Sequence, residues 1–581
     1  MPTLNWIGKE KVINHHQDVP YKILEPQYTF ANGKESKDTT SENKIIHGDN
    51  LEALKSLLPE YEGKVDCIYI DPPYNTGNEG WVYNDNVSDP KLKKWLGKVV
   101  GKESEDLSRH DKWLCMMYPR LKLLQKLLSS KGVIFISIDD NELYNLKLIA
   151  DEIFGVNNLV ANISWQRTYS PRNDSKGISQ EVEHILVYRK GPSWFPKRLP
   201  RTAKMNAVYK NPDNDIGLWR NSDAFAPGAS THQGMVYAIQ HPFTGKLIYP
   251  YNGACWPYRQ DDMLRLISEW GSYELKDLKD SNNRAEVCGV KPNEVREGIL
   301  GIVLNESLDI AKKRAKDIYR KGKWPKFFFT NKGMGGIARK TYLKDTKGKV
   351  VTNFWPYDEV GHSDEAKKIL KSIFNNTKNF DTPKPVRLIE RIIDISTNNN
   401  SIILDSFSGS GTTAHAVLNL NKENNGNRKF ILIEMEDYAN DITAERVKRV
   451  INGYGEGSKA NEGTGGDFTY YELGQPLFLD NGFLNEEVGL DKILEYVWYS
   501  EAKEPFNNPK ENYLLGTKND TAYYFYYQKD SITTLDESFL RSIKTKASQY
   551  IIYADNCLLD QSMIDKYNIV FKKIPRDITR F

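Results

Sequence analysis

Cysteine is scarce in this chain. Its five copies, Cys67, Cys115, Cys255, Cys288 and Cys557, form no CxxC pair. That pattern excludes a disulfide framework and a structural zinc site, and fits a reducing cytosol. An excess of one charge is equally lacking: 80 Lys+Arg stand against 77 Asp+Glu, a formal +3. A uniformly basic coat for nucleic acid is therefore excluded, and any polyanion site must be a local patch. No apolar run approaches the ~18 residues of a membrane helix. The opening stretch, MPTLNWIGKEKVINHH, has no apolar core of a signal peptide. These absences predict a cytoplasmic protein with no membrane contact. His, Cys and Asp never fall at metal-ligand spacing, so no metal is expected, and His15 and His16 read as surface residues. There is no internal repeat, and 581 residues leave room for about two to four domains.

Against this background five short apolar runs stand out: Val65–Ile70, Gly132–Ile138, His184–Tyr188, Ser401–Leu404 and Lys429–Glu434. Runs of this length, apolar on both faces, predict buried parallel strands. Helical patterns adjoin them at Leu51–Leu58, Tyr118–Leu128, Asn141–Phe154 and Thr413–Leu420, so the alternation is that of an α/β sheet. The strands fall in two blocks. Between them, residues 191–355 are rich in Pro, Gly, Trp, Tyr and Lys. Within that stretch Lys312–Lys349 holds 14 Lys+Arg against two acids, Asp317 and Asp345. Asn452–Asp467 has the composition of a linker, and 470–581 alternates aromatic and acidic residues like a separate small module.

Two motifs carry chemistry. Asp71-Pro72-Pro73-Tyr74-Asn75-Thr76-Gly77 follows the first strand. Two prolines end that strand and remove two N–H donors, leaving carbonyls as acceptors beside a carboxylate and an aromatic ring. Such a pocket can receive an amino group and stack a flat ring, at the strand end where α/β sheets bind ligands. A plain strand-ending turn accounts for the same residues. The second motif, Asp405-Ser406-Phe407-Ser408-Gly409-Ser410-Gly411-Thr412-Thr413, lies between a strand and a helix, where two glycines admit a ligand to a helix N-terminus. Glu434 ends the next strand, 23 residues beyond Gly411, as an acid that holds ribose hydroxyls would. The pair points to an adenosine-containing cofactor. A nicotinamide cofactor fits loosely because the third glycine of GxGxxG is missing, and the absence of GxxxxGK[ST] disfavours an ATPase.

Together these residues resemble the β-class amino-methyltransferases of DNA, most closely the modification subunits of type III restriction–modification systems. His47–Leu54, Trp355–Gly361, Phe380–Pro385 and the helix Arg387–Ile393 support the likeness. The resemblance implies a Rossmann-like methyltransferase sheet that is circularly permuted, with an inserted target-recognition domain and a small C-terminal module. The expected division is an extension at 1–44, a catalytic half at 45–190, a target-recognition domain at 191–355, a cofactor-binding half at 356–455 and a C-terminal interaction or dimerisation module at 470–581. It further implies S-adenosylmethionine as cofactor, held by Asp49, Thr382, Lys384, Pro385, Asp405, Phe407, Gly409, Gly411, Thr412 and Glu434. Asp71, Pro72, Pro73 and Tyr74 would be catalytic. Asp71 and the Pro72 carbonyl would accept hydrogen bonds from the target amine, while Tyr74 stacks on a base flipped from the duplex. Ser406 departs from the proline frequent at that position in the family, which costs rigidity and not the turn.

The implied reaction is N6-adenine methylation of double-stranded DNA, by a homodimer with a separate helicase–nuclease subunit as partner. N4-cytosine methylation is the runner-up, since Asp rather than Ser opens the motif. A DNA-recognition subunit is a rival of another class, and a nicotinamide oxidoreductase ranks last because it leaves Asp71–Tyr74 unexplained. His184 reads as a packed strand histidine, and Asp139 and Asp140 as a cap for the following helix. The basic run interleaves Trp324, Phe327, Phe328, Phe329 and Tyr342, and it falls where the family inserts its DNA reader. Lys312, Lys313, Arg314, Lys332, Arg339 and Lys340 are its expected DNA contacts.

Overall fold

The computed structural model describes residues 3–37, 40–76, 106–171, 177–377, 380–455, 460–479, 481–504 and 506–579. Gly77, the last residue of the first motif, lies outside them. The chain forms two compact units, Met1–Lys197 with Val351–Phe581, and Arg198–Val350. Among the described residues no helix is long and apolar enough to cross a membrane.

The larger unit is centred on one long sheet. Its strands are β1 (Lys22–Ala31), β2 (Lys34–Ser36), β3 (Lys44–His47), β4 (Val65–Ile70), β5 (Leu128–Ile138), β6 (Leu159–Gln166), β7 (Val182–Arg189), β8 (Phe354–Trp355), β9 (Ile402–Asp405), β10 (Lys429–Glu434) and β11 (Asp467–Pro476). Across the sheet they run β8-β6-β7-β5-β4-β9-β10-β3-β11-β1-β2. From β5 through β11 every pairing is parallel. The late strands β9 and β10 are inserted between the early strands β3 and β4, so chain order and sheet order are interleaved. This is the permuted α/β arrangement expected of the motifs' order.

Val65, Cys67, Ile68 and Ile70 are each 0% exposed, which requires cover on both faces of the sheet. Helix α2 (Asp106–Leu127) packs on both α1 (Asn50–Tyr61) and α3 (Leu143–Phe154), and the three share a core with Ile68 and Ile70. On the Cys67 face lies α4 (Val386–Ser396), whose Ser396 hydroxyl reaches the Cys67 sulfur at 3.3 Å. It packs against α5 (Thr412–Asn424). Alternating side chains of one strand thus meet different helical layers.

Several expectations are corrected here. The His184–Tyr188 run is a strand, but β7 is antiparallel to both β5 and β6; apolar content reports burial and says nothing of direction. The N-terminal extension and the start of the C-terminal stretch also belong to the sheet, because β1 pairs with β11 and β11 with β3. Beyond β11 come a helix, Leu490–Ala502, and a four-stranded sheet. Part of the expected linker is structured, Gly453–Tyr454 pairing with Asn461–Glu462. His15 and His16 are buried, not exposed, at 6% and 5%. Burial, with Lys126, Lys122 and Lys55 nearby, pulls His16 down to about 4. Glu142, not Asp139 or Asp140, occupies the cap of α3. Asp139 accepts from the Asn141 N–H, and Asp140 pairs with His184 at 3.0 Å.

The smaller unit has its own aromatic core, in which Trp256, Trp270, Phe327 and Phe329 are 0% exposed. Helix Leu308–Lys321 buries Ala311 and Ala315 and exposes Lys312, Lys313 and Lys316. Lys332 is exposed too, and Arg314 pairs with Glu306 at 3.0 Å. Arg339 is half-buried. Lys340, expected to touch DNA, is instead sealed inside: its side chain is 0% exposed and bridges Asp213 and Asp215. A buried cation needs such partners, and a charge run in sequence does not reveal which members have them.

Phe468 on β11 is 0% exposed, so Phe468→Ala should cost ~3–5 kcal/mol of stability in urea unfolding, as a core phenylalanine does. Phe483→Ala, at a side chain 60% exposed, should cost under ~0.5 kcal/mol. A small loss at Phe468 would remove β11 from the core.

Candidate active site

The site follows from one register. In the pairing of β4 with β9, Cys67 lies opposite Ile403 and Ile68 opposite Leu404. Both strands then end at the same edge, with the Asp71 motif leaving one and the glycine loop leaving the other.

The Asp71 segment is held from below. The Trp113 indole donates to the Pro73 carbonyl at 2.7 Å, so that carbonyl faces the core and is no outward acceptor. Asn75, fully buried, takes a left-handed backbone with φ 59°, which asparagine tolerates. Its amide donates to Glu142, whose carboxyl is raised by burial and also meets His110 at 2.6 Å. Pro72 is buried, while Asp71 and Tyr74 are half-buried.

Charge converges on Asp71. The Tyr74 hydroxyl donates to Asp71 Oδ1 at 2.8 Å and lies 3.2 Å from Glu183 Oε2. Lys384 Nζ forms a close ion pair with Asp71 Oδ2 and lies 3.8 Å from Glu183 and 5.1 Å from the Tyr74 ring centre. Arg167 holds the other Glu183 oxygen at 2.7 Å. Burial works to lower Lys384, but the carboxylates of Asp71 and Glu183 outweigh it and hold its ammonium above the ordinary value. The Tyr74 phenol is raised well above its ordinary value by burial, and further by Asp71 and Glu183.

The glycine loop is similarly braced. Asp405, 2% exposed, accepts from the Phe407 N–H at 3.1 Å and the Thr413 hydroxyl at 2.5 Å. Gly409 and Gly411 have φ 50° and 79°. A methyl group on Gly409 would lie 3.2 Å from Phe380, and one on Gly411 3.1 Å from the Thr443 carbonyl. Glu434 Oε2 accepts from the Gly409 N–H at 2.7 Å, and its Oε1 from the Met435 N–H at 3.0 Å. Arg446, 1% exposed, ties Ser410 to Thr412 with hydroxyl contacts of 2.8 Å each. The Thr412 hydroxyl in turn reaches the Lys384 carbonyl at 3.4 Å. Among the described residues the buried oxygens Ser406 Oγ, Ser408 Oγ and Asn50 Oδ1 have no hydrogen-bond partner, although the Asn50 amide donates to the Ser406 carbonyl. A loop with narrow glycines and unspent buried oxygens suits a polar ligand.

Of the residues singled out in sequence, Asp71, Tyr74, Lys384, Thr412, Gly409, Gly411 and Glu434 fall at this one edge. Phe407 is buried at 6%, and Pro385 caps α4. Thr382 is exposed. Asp49 caps α1 through the Leu51 and Glu52 N–H groups at 2.9 and 3.1 Å, so one of its oxygens is spent on the helix. Sequence reading missed Glu183, Arg167 and Arg446. Glu183 directly precedes His184, and strand alternation sends the two to opposite faces; that was the available signal.

Burial raises both Asp405 and Glu434 to about 7. The folded state therefore holds protons that the unfolded chain releases near pH ~4, and stability should fall as pH rises from ~4 through ~7. Urea unfolding at pH ~5 and pH ~8 checks this: the loss between them should shrink in Asp405→Asn and Glu434→Gln. An equal loss in wild type and variants would show that neither carboxyl is displaced.

The DNA methylase family profile (N6_N4_Mtase) matches residues 65–445, more than half of the chain. The chain is 31% identical over 476 residues to the Mod subunit of the type III restriction-modification enzyme StyLTI of Salmonella typhimurium, across 77% of this chain and 62% of that one. It is 31% identical over 474 residues to the EcoPI Mod subunit of Escherichia phage P1, across 77% and 68%. With the type II methyltransferase M.KpnI of Klebsiella pneumoniae it shares 31% over 399 residues, across 68% and 81%. The chain thus spans about two thirds of the length of the type III relatives it matches, 62%, 68% and 65% for the first three. With the permuted sheet, the Asp71–Tyr74 motif and the glycine loop at one edge, these matches lead to one conclusion: the chain belongs to the DNA methylase family.

Proposed function

We propose that the protein methylates N6 of adenine in a short sequence of double-stranded DNA, using S-adenosylmethionine, as the modification component of a restriction–modification or phage-defence system. The observation that carries this reading is the juxtaposition of Asp71 and Tyr74 with the glycine loop at the ends of two paired strands. The backbone from Phe407 to Gly411, the carboxylate of Glu434 and the segment Thr382 to Pro385 would hold the cofactor. When bound, S-adenosylmethionine supplies a methyl group on a positively charged sulfur. Asp71 and the Pro72 carbonyl accept hydrogen bonds from the target amine, whose lone pair is otherwise delocalised into the base. Accepting them favours the pyramidal nitrogen that attacks, and orientation supplies the rest. The Tyr74 ring stacks on the flipped base.

Lys312, Lys313, Arg314, Lys332 and Arg339 of the smaller unit are proposed to meet DNA; Lys340 is withdrawn from that set. The type III relatives are named as Mod subunits of multi-subunit enzymes. Those names support a separate restriction subunit as partner; that the chain acts as a cytoplasmic homodimer is part of the same proposal.

Nucleoside mass spectrometry on DNA treated with the protein and methyl-labelled S-adenosylmethionine should find label in N6-methyladenine. Label in N4-methylcytosine would correct the base and keep the mechanism. Asp71→Ala should lower transfer by at least ~100-fold while cofactor affinity stays within ~3-fold, and normal turnover would remove Asp71 from its role. Replacing Lys312, Lys313 and Lys316 together by Glu should weaken binding to every DNA sequence and flatten its salt dependence. Unchanged affinity would assign that helix face to solvent.

A further inference from the structure

Among the described residues, the two donors that hold Asp71 each have a second carboxylate within reach. The Tyr74 hydroxyl is 2.8 Å from Asp71 and 3.2 Å from Glu183. Both distances lie in hydrogen-bond range, so rotation about the phenolic C–O bond alone moves its hydrogen from one acid to the other. Lys384 Nζ, paired with Asp71, is 3.8 Å from Glu183, and a shift of ~1 Å in a flexible side chain completes a second charge-assisted bond. Glu183 is 5% exposed and fixed from behind by Arg167 at 2.7 Å. Tyr69 and Asp139 are the further titratable groups that feel its charge.

An acceptor for a target amine poses a physical problem. A half-buried carboxylate left unpaired before the base arrives is costly, and one already paired must give its partners up. Removing both partners with nowhere for them to go would leave a buried ammonium and a buried hydroxyl unsatisfied, at several-fold the cost of an ordinary lost hydrogen bond. A second acid between the same two donors removes that cost.

We propose that Glu183 is a positioning residue: it is the alternative seat to which the Tyr74 hydroxyl and the Lys384 ammonium pass when the target amine takes Asp71. The assignment rests on the methyltransferase reading of the site. At rest both donors lie on Asp71, and Glu183 is held by Arg167. As the base enters, both lean to Glu183, the two oxygens of Asp71 turn to the amine, and no buried charge goes unpaired at any stage. Lys384 thereby also leaves the place where positive charge develops on the attacking nitrogen.

The test uses a duplex carrying the methylated sequence mapped from the wild-type product, with 2-aminopurine beside the target adenine, whose fluorescence rises when its neighbour leaves the stack. Glu183→Gln should lower the flipped fraction and kcat by ~10-fold or more, while KM for DNA and cofactor affinity stay within ~3-fold. Glu183→Asp should recover much of both. In a Lys384→Met background, where one migrating donor is gone, adding Glu183→Gln should cost less than it does alone. Wild-type flipping in Glu183→Gln, a loss shared equally by flipping, DNA affinity and cofactor affinity, or full additivity with Lys384→Met would each overturn the proposal. No methyl transfer by the wild type would instead overturn the methyltransferase reading beneath it.

Discussion

The pairing of β4 with β9 is the constraint on which the site depends. More than three hundred residues of chain separate Asp71 from Asp405, yet Ile68 and Leu404 stand opposite each other in one parallel ladder. Parallel strands end at the same edge, so the two loops leave side by side. Late strands that entered elsewhere in the sheet would build both motifs and bring neither to the other. The energy behind the register is burial: these strands are apolar on both faces, and a one-residue slip would turn each alternating set toward the wrong helical layer.

Around that edge the protein pairs its charges within its own fold. Asp71 is paired with Lys384, Glu183 with Arg167, and Glu434 with the N–H groups of its own loop and of Gly409. Glu434 and the Gly409 amide satisfy each other, and a ligand with hydroxyls must take over part of that bond. The same logic governs the unit Arg198–Val350, where Lys340 is enclosed by Asp213 and Asp215. Burying ionic groups as complete sets avoids the cost of a lone buried charge without adding much net stability.

What was legible in the sequence is what local chemistry determines. The five strands, the helices beside them, the Asp71 motif and the glycine loop are all short, contiguous signals, and each lies where its pattern placed it. Strand direction was not legible, because β7, antiparallel to both its neighbours, is as apolar as the strands that pair in parallel. β1 and β11 were missed because they carry charged and polar residues among the apolar ones, as in YYELGQP, and read as peripheral. Their place is set by long-range pairing. Lys340 and His16 were misplaced for a related reason: whether a polar side chain is inside depends on partners far away in sequence, Asp213 for one and the helices bearing Lys55 and Lys126 for the other. Glu183 was passed over beside the more conspicuous His184.

A crystal structure of the protein soaked with S-adenosylhomocysteine tests the central claim most directly, that the paired strand ends form one site. The adenosine should lie against the Phe407–Gly411 loop with its ribose hydroxyls on Glu434, and the sulfur should face Asp71 and Tyr74. A ligand bound away from the glycine loop, or one whose sulfur points away from Asp71, would contradict it.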